Sequence, residues 1–289
     1  MSDSIIERLG WYTNISNNEY HTGPGLSSTL VKKYLAKTPA EIQWEAANAK
    51  APTENMKLGS AVHALLDSEK TFENEFAIQP ELNLRTKHGR EQKLAFEAEN
   101  KDRTIITYET LETAQKMVAN VKKHPKAAEF QVNTLKEQSI YWKETIIADE
   151  FSEEVLLKIR PDSIGPRNPL IFDYKTCQDA SPGAMRRTIL DYGYHISAAL
   201  YLRGVNQCES LLEALGRDYY AGFCLVCVES HPPFQVACYE IGNQFLAEGE
   251  INLDTALRRY VKARAENYPS YSPAIRVIDA PSYSKSYDL

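Results

Sequence analysis

The chain has 289 residues, 43% of them hydrophobic, and a formal charge of −6, which is ample for a substantial core and excludes a disordered chain. No run is apolar enough to span a membrane and the opening Met1-Ser2-Asp3-Ser4 leads into a polar segment, so a cytoplasmic protein without membrane association is expected. All five cysteines fall between Cys177 and Cys238, and their odd number argues against a secreted disulfide framework.

In chain order, Ser27 to Ala47 reads as one helix, or two broken near Thr38-Pro39, with Ser27 or Ser28 as the cap. Gly59 to Leu66 predicts another helix, 78–89 a loop, and Gly89 to Glu99 and Glu109 to Lys123 two more helices, the last stopped by Pro125. Residues 138–176 predict three strands, 184–206 one or two helices, 220–241 two strands, and Gln244 to Ala265 a long final helix. That order suits an α/β fold, a mixed central sheet flanked by helices. It is read as one elaborated domain: a mainly helical part over 1–130 forming one wall of a passage, an α/β core over 131–266, and an extended tail over 267–289, docked at its Tyr and Ile residues or partly mobile.

The chemistry concentrates around Asp162 and the triplet Asp173-Tyr174-Lys175. Glu154 to Ile164 holds a run of apolar residues, Gly165-Pro166-Arg167-Asn168-Pro169 breaks it, and Leu170-Ile171-Phe172 begins a second strand. Strand alternation puts Ile171, Asp173 and Lys175 on one face and Leu170, Phe172 and Tyr174 on the other. If the two strands pair as a hairpin, Asp162 and Asp173 come to similar heights, and two carboxylates converge with one ammonium. Such a pair favours a divalent cation, and hard oxygen donors select Mg²⁺ or Mn²⁺. Ions of this kind activate water and neutralise phosphate, with a lysine adding charge stabilisation, which points to phosphodiester hydrolysis.

Two further features have competing readings. Cys224-Leu225-Val226-Cys227 has metal-ligand spacing, but it lies inside an apolar run and residues three apart on a strand face opposite ways, so it reads as core. Arg85, Lys87, His88, Arg90 and Lys93 form a basic cluster that could grip DNA phosphates, although a solvated helix face has the same composition.

Several segments resemble, in the same order, the RecB-like branch of the PD-(D/E)xK nucleases, and within it the RecE-like (exonuclease VIII) enzymes of phages and prophages. They are Tyr20-His21 with Pro24-Gly25-Leu26-Ser27, Leu58-Gly59-Ser60-Ala61-Val62-His63, Glu137-Gln138-Ser139-Ile140-Tyr141-Trp142, Arg160-Pro161-Asp162, Asp173-Tyr174-Lys175-Thr176, and Tyr192-Gly193-Tyr194-His195 with Tyr201. The resemblance implies a PD-(D/E)xK nuclease core with an N-terminal helical extension. It implies His63, Asp162, Asp173 and the Tyr174 carbonyl as metal ligands, Lys175 as the catalytic lysine, Glu137 as an acid near the metal or its water, and Tyr201 beside the DNA, although Tyr201 also reads as a core aromatic of its helix. It further implies a Mg²⁺-dependent double-strand DNA exonuclease acting 5′→3′, a ring-shaped homotetramer, and a single-strand annealing partner of the RecT type in a bacterial host. A sister branch holds an iron–sulfur cluster with one cysteine before the core, and none precedes Cys177, so no cluster is expected. Ser197 stands where RecB-like nucleases often carry a glutamine, which leaves a structure-specific or single-strand nuclease open as an alternative. A non-catalytic DNA-binding scaffold is the alternative of another class.

Overall fold

The computed structural model describes residues 9–278. The first third runs β1 (Gly10–Tyr12), α1 (Asn17–Thr22), α2 (Ser28–Ala36), α3 (Pro39–Ala47), α4 (Glu54–Asp67), α5 (Glu69–Glu75), β2 (Phe76–Ile78) and α6 (Lys87–Glu99). Then come β3 (Thr104–Ile106), α7 (Tyr108–Lys123), α8 (Pro125–Glu129), β4 (Leu135–Lys136), β5 (Ser139–Ala148), β6 (Phe151–Ile159), β7 (Ser163–Ile164) and β8 (Leu170–Cys177). The chain closes with α9 (Pro182–Asp191), α10 (Tyr194–Asn206), α11 (Glu209–Leu215), β9 (Gly222–Glu229), β10 (Val236–Glu240) and α12 (Asn243–Ala265).

Side-chain oxygens set most helix starts. Thr38, Thr53, Thr86, Thr107 and Ser181 each accept the backbone N–H three residues on. Thr53 therefore begins α4 well before Gly59, which becomes an interior residue of that helix rather than its start. Its missing side chain lets α4 lie close to β8, since a Cβ there would stand 3.3 Å from the Thr176 hydroxyl. Ser27 holds the cap position of α2 but makes no side-chain cap bond.

The central sheet has the order β10-β9-β8-β7-β4, with β8 and β9 parallel and the other pairs antiparallel. A separate antiparallel sheet has the order β1-β5-β6. The expected hairpin between the 154–164 strand and β8 is thus corrected: β6 pairs with β5, and only the short β7 pairs with β8, at Ser163 opposite Phe172. The three strands expected over 138–176 are four, because a two-residue strand separates β6 from the turn.

One register runs through both sheets. Ile140 lies opposite Ile159 in the β5–β6 ladder, and Lys136 lies opposite Ser163 in the β4–β7 ladder. The two ladders are one long hairpin, interrupted where the chain crosses between sheets. Counting inward from either side sets Glu137 opposite Asp162 at the break, and the β7–β8 register carries Asp162 on to face Asp173. Glu137 has a φ of 51°, a left-handed backbone rarely adopted by a residue with a side chain.

Two hydrophobic cores lie on opposite faces of the central sheet. Ile171, Phe223, Leu225 and Cys227 join one, with Val31 and Tyr34 of α2, Leu200 of α10 and Leu257 of α12. Phe172, Tyr174, Cys224 and Val226 join the other, with Val62 of α4 and Met117 of α7. Cys224 and Cys227 are therefore core residues of opposite faces. The N-terminal helices do not form a single wall, because α2 and α3 belong to the first layer and α4, α5 and α7 to the second. Beyond α12 the tail docks through Tyr268 and through the Pro269 carbonyl, which accepts the Ala40 N–H, whereas Tyr271 and Ile275 are exposed. Residues 279–289 of the expected tail lie outside the described residues.

Candidate active site

The break in the hairpin gathers the acids. Asp162 follows the last residues of β6, and its Oδ2 accepts the Tyr174 backbone N–H at 2.6 Å, which ties it to β8. From the other layer, α4 delivers His63, whose Nδ1 stands 3.4 Å from the same oxygen and whose ring meets Tyr174 edge-on. Ligand atoms of His63, Glu137 and Asp162 all lie within 4.8 Å of one another. They line a small cleft with Leu66, Asp67, Gln131, Lys136 and Tyr174.

Asp173 is buried at the β8 rung that faces Asp162, and its Oδ2 is paired with the Lys175 ammonium. Lys175 also donates to the Tyr174 carbonyl at 3.2 Å, so the two further oxygens implied as ligands are held by the lysine. Tyr201 packs its ring edge-on against Phe223 in the first core. Burial, then the Tyr20 phenol and the neighbouring acids, push its phenol well above the ordinary range.

The protonation equilibria record an excess of negative charge. Burial and then the Asp162 carboxylate push Glu137 up to about 8. Burial also raises Asp173; Lys175 opposes this only in part, and Asp162 adds to it. Burial works against an ionised Asp162 as well, but His63, Lys175 and the Tyr174 N–H hold it below the usual carboxylate range. Burial would strip the proton from His63, yet Asp162 outweighs it and holds the imidazole up to about 9. Three carboxyls are thus crowded around one imidazolium and one ammonium. A divalent cation would relieve the crowding and take the place of the imidazole proton; the carboxylate oxygens suit a hard cation such as Mg²⁺ or Mn²⁺, while the imidazole nitrogen is a donor that transition metals accept more readily than Mg²⁺. The residues present therefore fit a metal.

Around the acids stand cations that sequence reading did not single out. Lys158 is buried on β6, where its ammonium donates to the Tyr20 and Gly23 carbonyls at 2.6 and 2.7 Å. Arg160 donates to Ser139 Oγ and the Ile15 carbonyl, both at 2.9 Å, and lies 4.2 Å from the Tyr20 ring centre. The Tyr20-to-Leu26 segment is thereby pinned beside Asp162. Lys32 on α2 donates to Ser197 Oγ at 3.1 Å. Burial and then the Lys175 ammonium pull it down to about 8. A lysine in a Val-Lys-Lys helix segment carries no sequence signal, whereas Arg160 lies within a motif already quoted. The basic cluster is elsewhere: Arg85, Lys87, His88 and Arg90 are exposed at the start of α6, Lys87 pairs with Glu91, Lys93 pairs with Glu97, and none lines the cleft. No helix among the described residues is long and apolar enough to cross a membrane.

A family model described as a PDDEXK-like domain of unknown function (DUF3799) matches residues 27–281. Among solved structures, an Eubacterium rectale protein described as a "Putative exonuclease" superposes with a TM-score of 0.58 at 14% identity, covering 93% of this chain and 96% of its own. At that identity the likeness speaks for the fold alone. A second structure, SSO0001, reaches a TM-score of only 0.31 at 13% identity over 82% of this chain and 80% of its own, and carries no weight. No curated protein matches the chain. The family match begins at the cap of α2, takes in His63, Glu137, Asp162, Asp173 and Lys175, and spans most of the sequence: the chain belongs to the PDDEXK-like family DUF3799, with a PD-(D/E)xK nuclease fold.

Proposed function

We propose that this protein is a metal-dependent double-strand DNA exonuclease that degrades the 5′-ended strand and leaves a 3′ single-stranded tail for recombination by strand annealing. The observation that carries the chemistry is the meeting of Glu137 and Asp162 at the hairpin break, with His63 on one side and the Asp173–Lys175 pair on the other. His63, Glu137 and Asp162 would hold Mg²⁺ or Mn²⁺, with Asp173 and the Tyr174 carbonyl as further oxygen donors. A metal bound there supplies Lewis acidity toward the phosphate and a more acidic bound water. Lys175 places a fixed positive charge beside Asp173, where charge develops on the phosphate oxygens, and orients the attacking water. Asp162, anchored by the Tyr174 N–H, keeps the acids and the lysine in one geometry.

Duplex preference, polarity, a ring-shaped homotetramer, a RecT-type annealing partner and a phage or prophage origin in a bacterial cytoplasm rest on the resemblance to RecE-like enzymes. The Eubacterium rectale neighbour's description as an exonuclease agrees with cleavage from ends. A linear duplex labelled at one 5′ or one 3′ end tests the reading. With Mg²⁺ the 5′ label is expected to be released first and closed circular duplex to stay intact. Early loss of the 3′ label, or ready cutting of the circle, contradicts it.

A further inference from the structure

Tyr192 is 65% exposed, yet its ring is held in a stack with Tyr194, centroids 5.8 Å apart and planes inclined by 21°. The turn between α9 and α10 builds this pair. Gly193 sits there with a φ of 62°, in the left-handed region, and a Cβ at that position would come within 2.8 Å of the Lys32 side chain. The turn is thus also the surface on which the Lys32 stem packs. The Lys32 ammonium lies 5.8 Å from the Tyr194 ring centre, and the Lys175 ammonium lies 5.6 Å from the same ring. Lys32 forms no ion pair among the described residues; its hydrogen bond goes to the uncharged Ser197 hydroxyl. A half-buried lysine with no direct ion-pair partner among the described residues, near Asp173 but hydrogen-bonded to a hydroxyl, beside an exposed aromatic stack and one ring from Lys175, has its charge available for an anion.

We infer that Tyr192, Tyr194 and Lys32 form a subsite for one nucleotide of an unpaired DNA strand, its base stacked on Tyr192 and its phosphate on Lys32. The inference rests on the nuclease reading above and adds a binding site to it. An exposed aromatic face accepts any base, because every base has a π-face, and a cation beside it tracks the backbone. Two ammoniums against one ring address two phosphates of the same strand, one at Lys175 and one at Lys32. Ser197 is where this matters most: a short hydroxyl at that position of α10 accepts the Lys32 hydrogen bond and holds the lysine at the site.

The test is equilibrium binding of a fluorescein-labelled twelve-residue oligothymidylate to the full chain, in EDTA at low salt so that no cleavage intervenes. A strand of the same length made of abasic units serves as the comparison. Wild type is expected to bind the oligothymidylate more tightly than the abasic strand. Tyr192→Ala should weaken oligothymidylate binding about tenfold and leave the abasic strand unaffected, while Tyr192→Phe retains the wild-type preference. Lys32→Gln should weaken both strands and lower the slope of log affinity against log salt by about one. Unchanged melting temperatures for the variants separate these effects from misfolding. Failure of wild type to bind, equal binding of the two strands by wild type, or no effect of Tyr192→Ala overturns the subsite. Metal-dependent duplex cleavage by wild type is scored separately, so a protein that cleaves but does not discriminate the strands sinks the subsite alone. A protein that discriminates but never cleaves sinks the nuclease reading instead.

Discussion

The two ends of the site carry opposite balances of charge. At the α4 end, Glu137 and Asp162 are opposed chiefly by the His63 imidazole, with Arg160 acting on Glu137 and Lys175 on Asp162, and Glu137 retains its proton to about 8 because burial and Asp162 outweigh that compensation. At the α10 end, Asp173 faces two lysines, and Lys32 is pulled down to about 8 by burial and Lys175. One end is short of a cation and the other has one to spare. A hydrolase acting on a phosphodiester needs this division, a place for metal ions beside a place for phosphate, and β8 joins the two through Tyr174 and Lys175.

Neutralising either end should separate these roles. Lys175→Ala and Asp162→Asn are each expected to lower DNA cleavage about a thousandfold or more, because each removes a group acting on the reacting phosphate or its metal. Initial rates on a linear duplex measure this; a variant retaining a tenth of wild-type activity would remove that residue from the chemistry. His63→Ala and Glu137→Gln should act chiefly on metal affinity, raising the Mn²⁺ concentration for half-maximal binding by at least about tenfold in calorimetric titration. Equal Mn²⁺ affinity in wild type and both variants would break the assignment of the α4 end.

The α4 end also makes a prediction without metal. The unfolded chain releases the Glu137 proton near 4.5, whereas the folded protein keeps it to about 8. Across that window the folded state binds more protons, so stability falls as pH rises. His63 acts in the same direction between 6.5 and about 9, since its folded pKa is also raised. Thermal unfolding in EDTA should therefore show a melting temperature that declines from pH 5 to pH 8, above which Lys32 and Lys158, both pulled down to about 8, act in the opposite direction, and the decline should be shallower in Glu137→Gln. A wild-type profile that rises over this range contradicts the charge balance described. The smallest effect belongs to the α10 end: Gly193→Ala forces a left-handed backbone on a residue with a Cβ and crowds Lys32, costing about 1–2 kcal/mol in denaturant unfolding.

The α10 end and the α4 end were unequally legible in the sequence. Asp173 and Lys175 follow from strand alternation in an eight-residue strand, and the turn-forming Gly165 to Pro169 puts Asp162 within reach, so local pattern sufficed. Glu137 and Asp162 lie at opposite ends of the β5–β6 excursion, and their meeting depends on a register that no single strand's pattern displays. The expected hairpin was too long for a similar reason: β4 and β7 have two residues each, too few for alternation to show that the chain changes sheets. His63 and Glu137 entered through family resemblance rather than through their own spacing. Lys32 was invisible because its role is tertiary; Val31-Lys32-Lys33 on an amphipathic helix reads the same whether the lysine faces water or Tyr194. Arg85, Lys87 and Arg90 show the converse, a conspicuous cluster that the fold leaves outside the cleft. Some helix boundaries were better predicted, since Thr38-Pro39 and Pro125 act through local backbone chemistry, although α4 starts five residues before the expected Gly59.

The central claim is that the acids at the hairpin break hold a divalent cation that drives phosphodiester cleavage with Lys175. Its most direct measurement is release of nucleotides from a linear duplex by the full chain in Mg²⁺ or Mn²⁺, in EDTA, and with Asp162→Asn in place of wild type. The account predicts release by wild type with metal and none in EDTA or with the variant. Release that persists in EDTA and in Asp162→Asn, or no release by wild type with either metal, would contradict it.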